Sequence, residues 1–254
     1  GDRGGGARLR PGEQRMVDQP YWRIIPGDCR LILSAGEGGR YDAIITDPPF
    51  GTASPTKVQT RSGDASSFDI EWDRSTVDGW IEQAARMLKP GGSFIAFGDT
   101  KRVTEMWEEA SDAGLKPLQL FYWIKSNPPP QPRKNFQSGV EAAVFARKPG
   151  GVLHWGGGGA TPNHFKSPIA AGNDRTDHPT QKSLDLFRHL VKLVVPPGGV
   201  LCDPFSGSGT SLVAALLEGR SAIGFDISEE YCDIARERIE KWERSNEMLQ
   251  IPLL

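Results

Sequence analysis

Short apolar runs recur along the chain and alternate with amphipathic stretches. The runs are YWRII (21–25), YDAIIT (41–46), GSFIAFG (92–98), LQLFYWIK (118–125), VEAAVFAR (140–147), GVLCD (199–203) and SAIGFD (221–226). Each is bounded by Gly, Pro or polar residues, which predicts a buried strand. Between several of them apolar positions return with helical period. STVDGWIEQAARMLKPGG opens on a Ser/Thr cap and stops at Pro-Gly-Gly, KRVTEMWEEASDAG stops at Gly114, and SLDLFRHLVKLV ends before Pro196. GTSLVAALLEG and SEEYCDIARERIEKWERSNE follow the last two strands. Strands alternating with helices predict an α/β fold, a mostly parallel twisted sheet with helices on both faces. The runs 118–125 and 140–147 have no helix between them and predict an antiparallel hairpin at the sheet's edge.

Two stretches break the pattern. Residues 51–74 are mostly small and polar, and residues 126–177 are rich in Pro and Gly. Long irregular segments in a folded domain tend to be functional. The first reads as a lid and the second as a target-recognition insert. The Gly/Arg-rich residues 1–19 read as a flexible extension ahead of a single domain, 20–254; they lack the apolar segment of a signal peptide.

Composition narrows the function classes. With 37% hydrophobic residues and no long apolar stretch, no transmembrane helix is expected. Cys29, Cys202 and Cys232 lie far apart and the four histidines show no ligand spacing, so neither a disulfide framework nor a metal site is expected, which suits the cytoplasm. The formal net charge is −2, yet residues 121–182 carry eight Lys/Arg against three acids. A basic segment on an acidic body is compatible with a phosphate-contacting surface, with Lys125, Arg133, Lys134 and Lys166 as its candidates.

Two motifs carry chemistry. TDPPF (46–50) follows a strand directly. Proline cannot donate to a ladder, and the residue before it is held extended, so Asp47 is presented at the strand's end. CDPFSGSGTS (202–211) lies between a strand and a helix, where glycines let backbone approach a nucleotide-like ligand. The motif lacks the lysine of a phosphate-binding loop and the third glycine of a dinucleotide fingerprint. Asp226 ends the next strand, where a carboxylate would accept from both hydroxyls of a ribose. An adenosyl ligand without phosphates points to S-adenosylmethionine.

The two motifs, in this order, together with GDC (27–29), LKPGGSFIAF (88–97), WIKSNPPP (123–130) and HPTQKS (178–183), resemble the permuted beta group of amino-group DNA methyltransferases. The resemblance spans roughly residues 20–240. It implies a Rossmann-like class I methyltransferase fold in which the strands ending at Thr46 and Cys202 are neighbours. It also implies S-adenosylmethionine as cofactor, double-stranded DNA as partner, no metal, restriction-modification as a context and, as an option, a homodimer.

The resemblance assigns Asp28 and Cys29 to the adenine ring of the cofactor. It assigns Thr180, Gln181 and Lys182 to the methionine carboxylate, and Asp203, Pro204, Phe205, Ser206, Gly207, Ser208, Gly209 and Thr210 to the methionine and ribose. Asp226, with Ile227 beside it, falls at the ribose hydroxyls. Ser183 stands where this family's motif usually has proline. On the substrate side, Asp47 and the Pro48 carbonyl would accept the two N–H groups of an exocyclic amine. Pro48 and Pro49 would stiffen these acceptors and Phe50 would stack on the base. Asp at the head of the motif favours adenine N6; cytosine N4 is the alternative. A base inside a duplex is out of reach, so the nucleotide would be flipped out.

Overall fold

Alternate residues of the central strands enter two different cores. In β2 (Tyr41–Thr46), Ala43 and Ile45 face one core and Ile44 the other; in β5 (Leu88–Gly98), Ile95 and Phe97 face the first, Phe94 and Ala96 the second. Successive side chains of a strand point to opposite faces, so an unbroken apolar run suits a strand covered on both sides. The structure, a computed structural model, describes residues 19–51, 57–59, 65–67, 76–128, 136–170, 176 and 181–250.

The remaining strands of the main sheet are β1 (Trp22–Pro26), β6 (Lys116–Lys125), β7 (Val140–Arg147), β8 (His164–Ser167), β9 (Val200–Asp203) and β10 (Ser221–Asp226), in the order β1-β10-β9-β2-β5-β7-β6-β8. The first five are mutually parallel; β7 is antiparallel to both β5 and β6, and β8 is parallel to β6. Helices α1 (Cys29–Ala35), α2 (Trp80–Met87) and α3 (Thr100–Asp112) cover one face through Leu33, Ile81 and Met106. Helices α4 (Leu184–Val194), α5 (Thr210–Leu217) and α6 (Glu229–Gln250) cover the other through Leu190, Val213 and Ile239.

The strands ending at Thr46 and Asp203 are hydrogen-bonded neighbours, as expected. From β9 the sheet runs outward through β10 to β1, and from β2 it runs the other way to β5. That pair therefore marks the point where strand order reverses, and ligands of open parallel sheets bind beyond the carboxyl ends there.

Three local expectations change. The β6–β7 hairpin is antiparallel but not the edge, because β8 lies outside it; its short sequence, HFKS, has no apolar run to announce a strand. Helix α2 starts at Trp80 rather than at the Ser/Thr pair, since Thr76 forms an antiparallel bridge with Phe50 and Gly79 takes φ +76°. Within the expected lid, β3 (Lys57–Gln59) and β4 (Ala65–Ser67) pair as a separate two-stranded antiparallel sheet. Of the expected extension 1–19, residues 1–18 lie outside the described residues. Among the described residues no helix is long and apolar enough to cross a membrane.

Candidate functional site

Five adjacent parallel strands each deliver an aspartate at the same edge: Asp28 beyond β1, Asp226 on β10, Asp203 on β9, Asp47 beyond β2 and Asp99 beyond β5. Two of them cap helices. Asp99 accepts the Arg102 N–H at 2.7 Å at the start of α3. Asp28 accepts the Arg30 N–H at 2.9 Å and pairs with its guanidinium at 2.6 Å, which holds the carboxyl below the ordinary aspartate value. The other three face a cleft of about 270 Å³, with Asp28 at its rim.

Asp203 is buried at the bottom. Its Oδ1 accepts from the Thr46 hydroxyl at 2.5 Å and the Phe205 N–H at 3.1 Å, and its Oδ2 accepts from the Ser211 hydroxyl. Burial nonetheless pushes its carboxyl up to about 6, against the pull of these donors. Asp226 accepts the Gly207 N–H on one oxygen and the Ser228 N–H on the other, both at 2.9 Å. Burial raises its carboxyl while those two N–H groups pull it back.

The glycine turn is shaped by close approach. Gly209 sits at φ +72° as the N-cap of α5, and a Cβ there would lie 2.9 Å from Ala235 Cβ. Only glycine takes that conformation at no steric cost. The turn is tied to β10 by the Ser206 N–H donating to the Phe225 carbonyl at 2.8 Å. On its far side the Arg238 guanidinium donates to the Ser208 carbonyl and the Thr210 hydroxyl.

Asp47 faces the turn across the cleft. Its Oδ2 lies 2.5 Å from the Lys182 ammonium, which also contacts Glu141 at 2.9 Å. Burial alone would push the Lys182 ammonium down; the two carboxylates overcome that and hold it well above the ordinary lysine value. The Phe50 and Phe97 ring centroids lie 5.5 and 6.0 Å from the same nitrogen, close enough for cation–π attraction. Lys182 is thus paired with both Asp47 and Glu141. Ser183, in place of proline, is buried before α4 and accepts from the Ser167 hydroxyl at 3.0 Å, which in turn accepts from the Trp123 indole.

Of the other expected residues, Cys29, Pro49, Pro204, Phe205, Ser206, Gly207, Ser208, Thr210, Gln181 and the exposed Ile227 line the cleft. Burial pushes the Cys29 thiol up to about 12 and keeps it protonated. Gln181 accepts from the Thr176 N–H at 2.7 Å and the Thr176 hydroxyl at 2.9 Å. Pro48 is buried, and Phe50 is half-buried against the core. Lys125 is a correction: its side chain is 10% exposed and 2.5 Å from Glu141, so it is not presented to a phosphate backbone. Charge counting along a sequence cannot see a buried partner. Lys166 is exposed. Thr180, Arg133 and Lys134 lie outside the described residues. Arg30, Val77, Phe187, Ser211, Ser228 and Tyr231 also line the wall, with no role expected for them from sequence; only Ser211, inside the glycine motif, had a local signal. Among the described residues no cluster of His, Cys, Asp or Glu could hold a metal ion.

Known proteins share this architecture. The chain is 26% identical to the type II methyltransferase M2.MboI of Moraxella bovis over 241 residues, covering 87% of this chain and 88% of that protein. It is 27% identical to the type II methyltransferase M2.DpnII of Streptococcus pneumoniae over 267 residues, covering 91% and 96%. The crystal structure of the M1.HpyAVI–SAM complex superposes with a TM-score of 0.66 at 25% identity, over 86% of this chain and all of that one. The cytosine-N4-specific PvuII DNA methyltransferase reaches the same score at 17% identity, over 87% and 86%, and shows the shared fold. The N6/N4 DNA methylase profile matches residues 41–154 and 155–237. With most of its length inside that match, the chain belongs to the N6/N4 DNA methylase family.

Proposed function

We propose that this protein transfers a methyl group from S-adenosylmethionine to the N6 amine of adenine in DNA. One observation carries the reading: Asp47, beyond β2, and the Gly207 turn, beyond β9, open onto one cleft at the reversal point of the sheet. The donor set suits the cofactor. Asp203, buried, and Asp226, half-buried, are acceptors fitted to a cationic amino group and a ribose diol. The two cations on the described wall, Arg30 and Lys182, are already paired with carboxylates, which leaves little to attract a phosphate. When bound, S-adenosylmethionine supplies an electrophilic sulfonium methyl.

The chain's own residues do the rest. An exocyclic amine is a poor nucleophile because its lone pair is delocalised into the ring. Asp47 and the Pro48 carbonyl accept its N–H groups, draw the nitrogen toward tetrahedral geometry and stabilise the positive charge that grows on it. The two prolines fix these acceptors so that alignment precedes the reaction. Phe50 offers a flat face to a base flipped out of the duplex. The segment at 51–74 acts as a lid, while Lys166 and the pair Arg133–Lys134 serve as phosphate contacts of the recognition insert.

Asp47 at the head of DPPF (47–50) supports adenine over cytosine; the fold, shared with a cytosine-N4-specific enzyme, does not choose between them. The test is digestion of methylated DNA to nucleosides followed by mass spectrometry. N6-methyldeoxyadenosine is the expected product, and N4-methyldeoxycytidine alone would replace the substrate assignment.

A further inference from the structure

We propose that Glu141, outside the cleft, is a positioning residue for methyl transfer that acts on Asp47 through Lys182. The inference rests on Asp47 being the amine acceptor. Four side chains form an unbroken row across one face of the sheet. Lys125 on β6 lies 2.5 Å from Glu141 Oε1, Lys182 lies 2.9 Å from Glu141 Oε2, and Lys182 lies 2.5 Å from Asp47 Oδ2. The row crosses β5 where the Phe97 ring lies under Lys182. Lys182 is buried and the other three are partly so, with side-chain exposures of 10%, 21%, 9% and 20% from Lys125 to Asp47. Charge alternates along it, and the end that faces the cleft is negative.

Alternation matters because Asp47 must do two things that conflict. It needs a partner, since a buried carboxylate without one is costly. It also needs its negative charge to act on the amine nitrogen. An ammonium shared with nobody else would satisfy the first demand and cancel the second. Glu141 takes part of the Lys182 charge, so Asp47 is held in place by a cation whose field is largely neutralised from behind. Glu141 can do this only while ionised. Burial by itself would push its carboxyl up, but the ammonium groups of Lys182 and Lys125 overcome burial and hold it at about 2. Lys125, paired to Glu141 and 5.4 Å from the centroid of the Trp123 ring, anchors the far end.

The discriminating experiment is a double-mutant cycle read by single-turnover methyl transfer, with cofactor affinity and thermal midpoint measured on the same samples. Glu141→Gln should lower the transfer rate roughly ten- to a hundredfold, as loss of a preorganised charge does, and leave the Kd for S-adenosylmethionine within about threefold. Glu141→Asp should recover part of the rate. In a Lys182→Met background, adding Glu141→Gln should cost little further, because the intermediary is already gone. An unchanged rate in Glu141→Gln would overturn the inference. So would a loss confined to cofactor binding, or one that persists undiminished beside Lys182→Met. Should Glu141→Gln fail to fold, Glu141→Asp carries the test: its rate should fall several-fold with cofactor affinity kept, and an unaltered rate refutes the role. A wild-type protein that methylates no base would instead sink the functional reading itself.

Discussion

The Thr46 hydroxyl donates to Asp203 Oδ1 at 2.5 Å, across 157 residues of sequence. This bond joins the end of the strand that presents Asp47 to the end of the strand that opens the glycine turn. Thr46 of the first motif is thus the donor and Asp203 of the second the acceptor, and both motifs are held in register at the reversal point of the sheet. A side chain buried on the last residue of β2 serves the opposite half of the site.

Asp203 makes apo-protein stability depend on pH. Its carboxyl is raised from 3.8 to about 6, so the folded state binds a proton more tightly than the unfolded one. Stability therefore falls as pH rises from about 4 to about 6 and is flat above, by up to roughly 3 kcal/mol from this group. Thermal midpoints of the apo-protein across that window should fall more steeply in wild type than in Asp203→Asn, which keeps only the contribution of other shifted groups such as Asp226. A cationic ligand selects the ionised form, so the Kd for S-adenosylmethionine should rise as pH falls below 6, as calorimetry would detect.

Asp47→Ala removes the acceptor and leaves the glycine turn intact. Methyl transfer should drop by roughly a thousandfold or more, while the Kd for S-adenosylmethionine shifts by less than about fivefold. Filter-bound radiolabelled DNA and calorimetry report the two quantities separately. Retained turnover would remove Asp47 from the chemistry.

Asp226→Ala acts on the other side of the cleft. It removes the acceptor of the Gly207 and Ser228 N–H groups as well as the proposed ribose partner. Hydrogen bonds to a charged group contribute roughly 1.5–3 kcal/mol each, so cofactor Kd should rise about ten- to a thousandfold. The rate at saturating cofactor should change far less. Equal affinities would contradict the ribose role.

The two lysines of the basic segment should separate on DNA. Lys166→Ala should weaken binding evenly across sequences and reduce the slope of log affinity against log salt by about 1. Lys125→Ala should leave that slope unchanged, because its ammonium is held by Glu141. A salt titration of both variants by fluorescence anisotropy decides the matter.

Local sequence carried the main fold and most of the cleft. Apolar runs of the right length specify strands whatever lies around them, and two prolines or a left-handed glycine constrain backbone within a few residues, so β2, β9, TDPPF and the turn at 207–209 were legible. The edge strand β8 was not, because the four residues HFKS form a strand only when β6 supplies the partner. The start of α2 was missed for the same reason: Thr76 is taken up by Phe50 from a distant segment. Charges were the least legible of all. Lys125 and Lys182 look alike in a list of basic residues, yet each is fixed by carboxylates that only the packed sheet brings within reach. The sequence by itself determined which backbone could hold an acceptor at position 47 and a close turn near 207, since those are properties of neighbouring residues. Tertiary structure alone decided which charges are paired and which way the field at Asp47 points, because Coulomb energies depend on distances that chain separation does not encode.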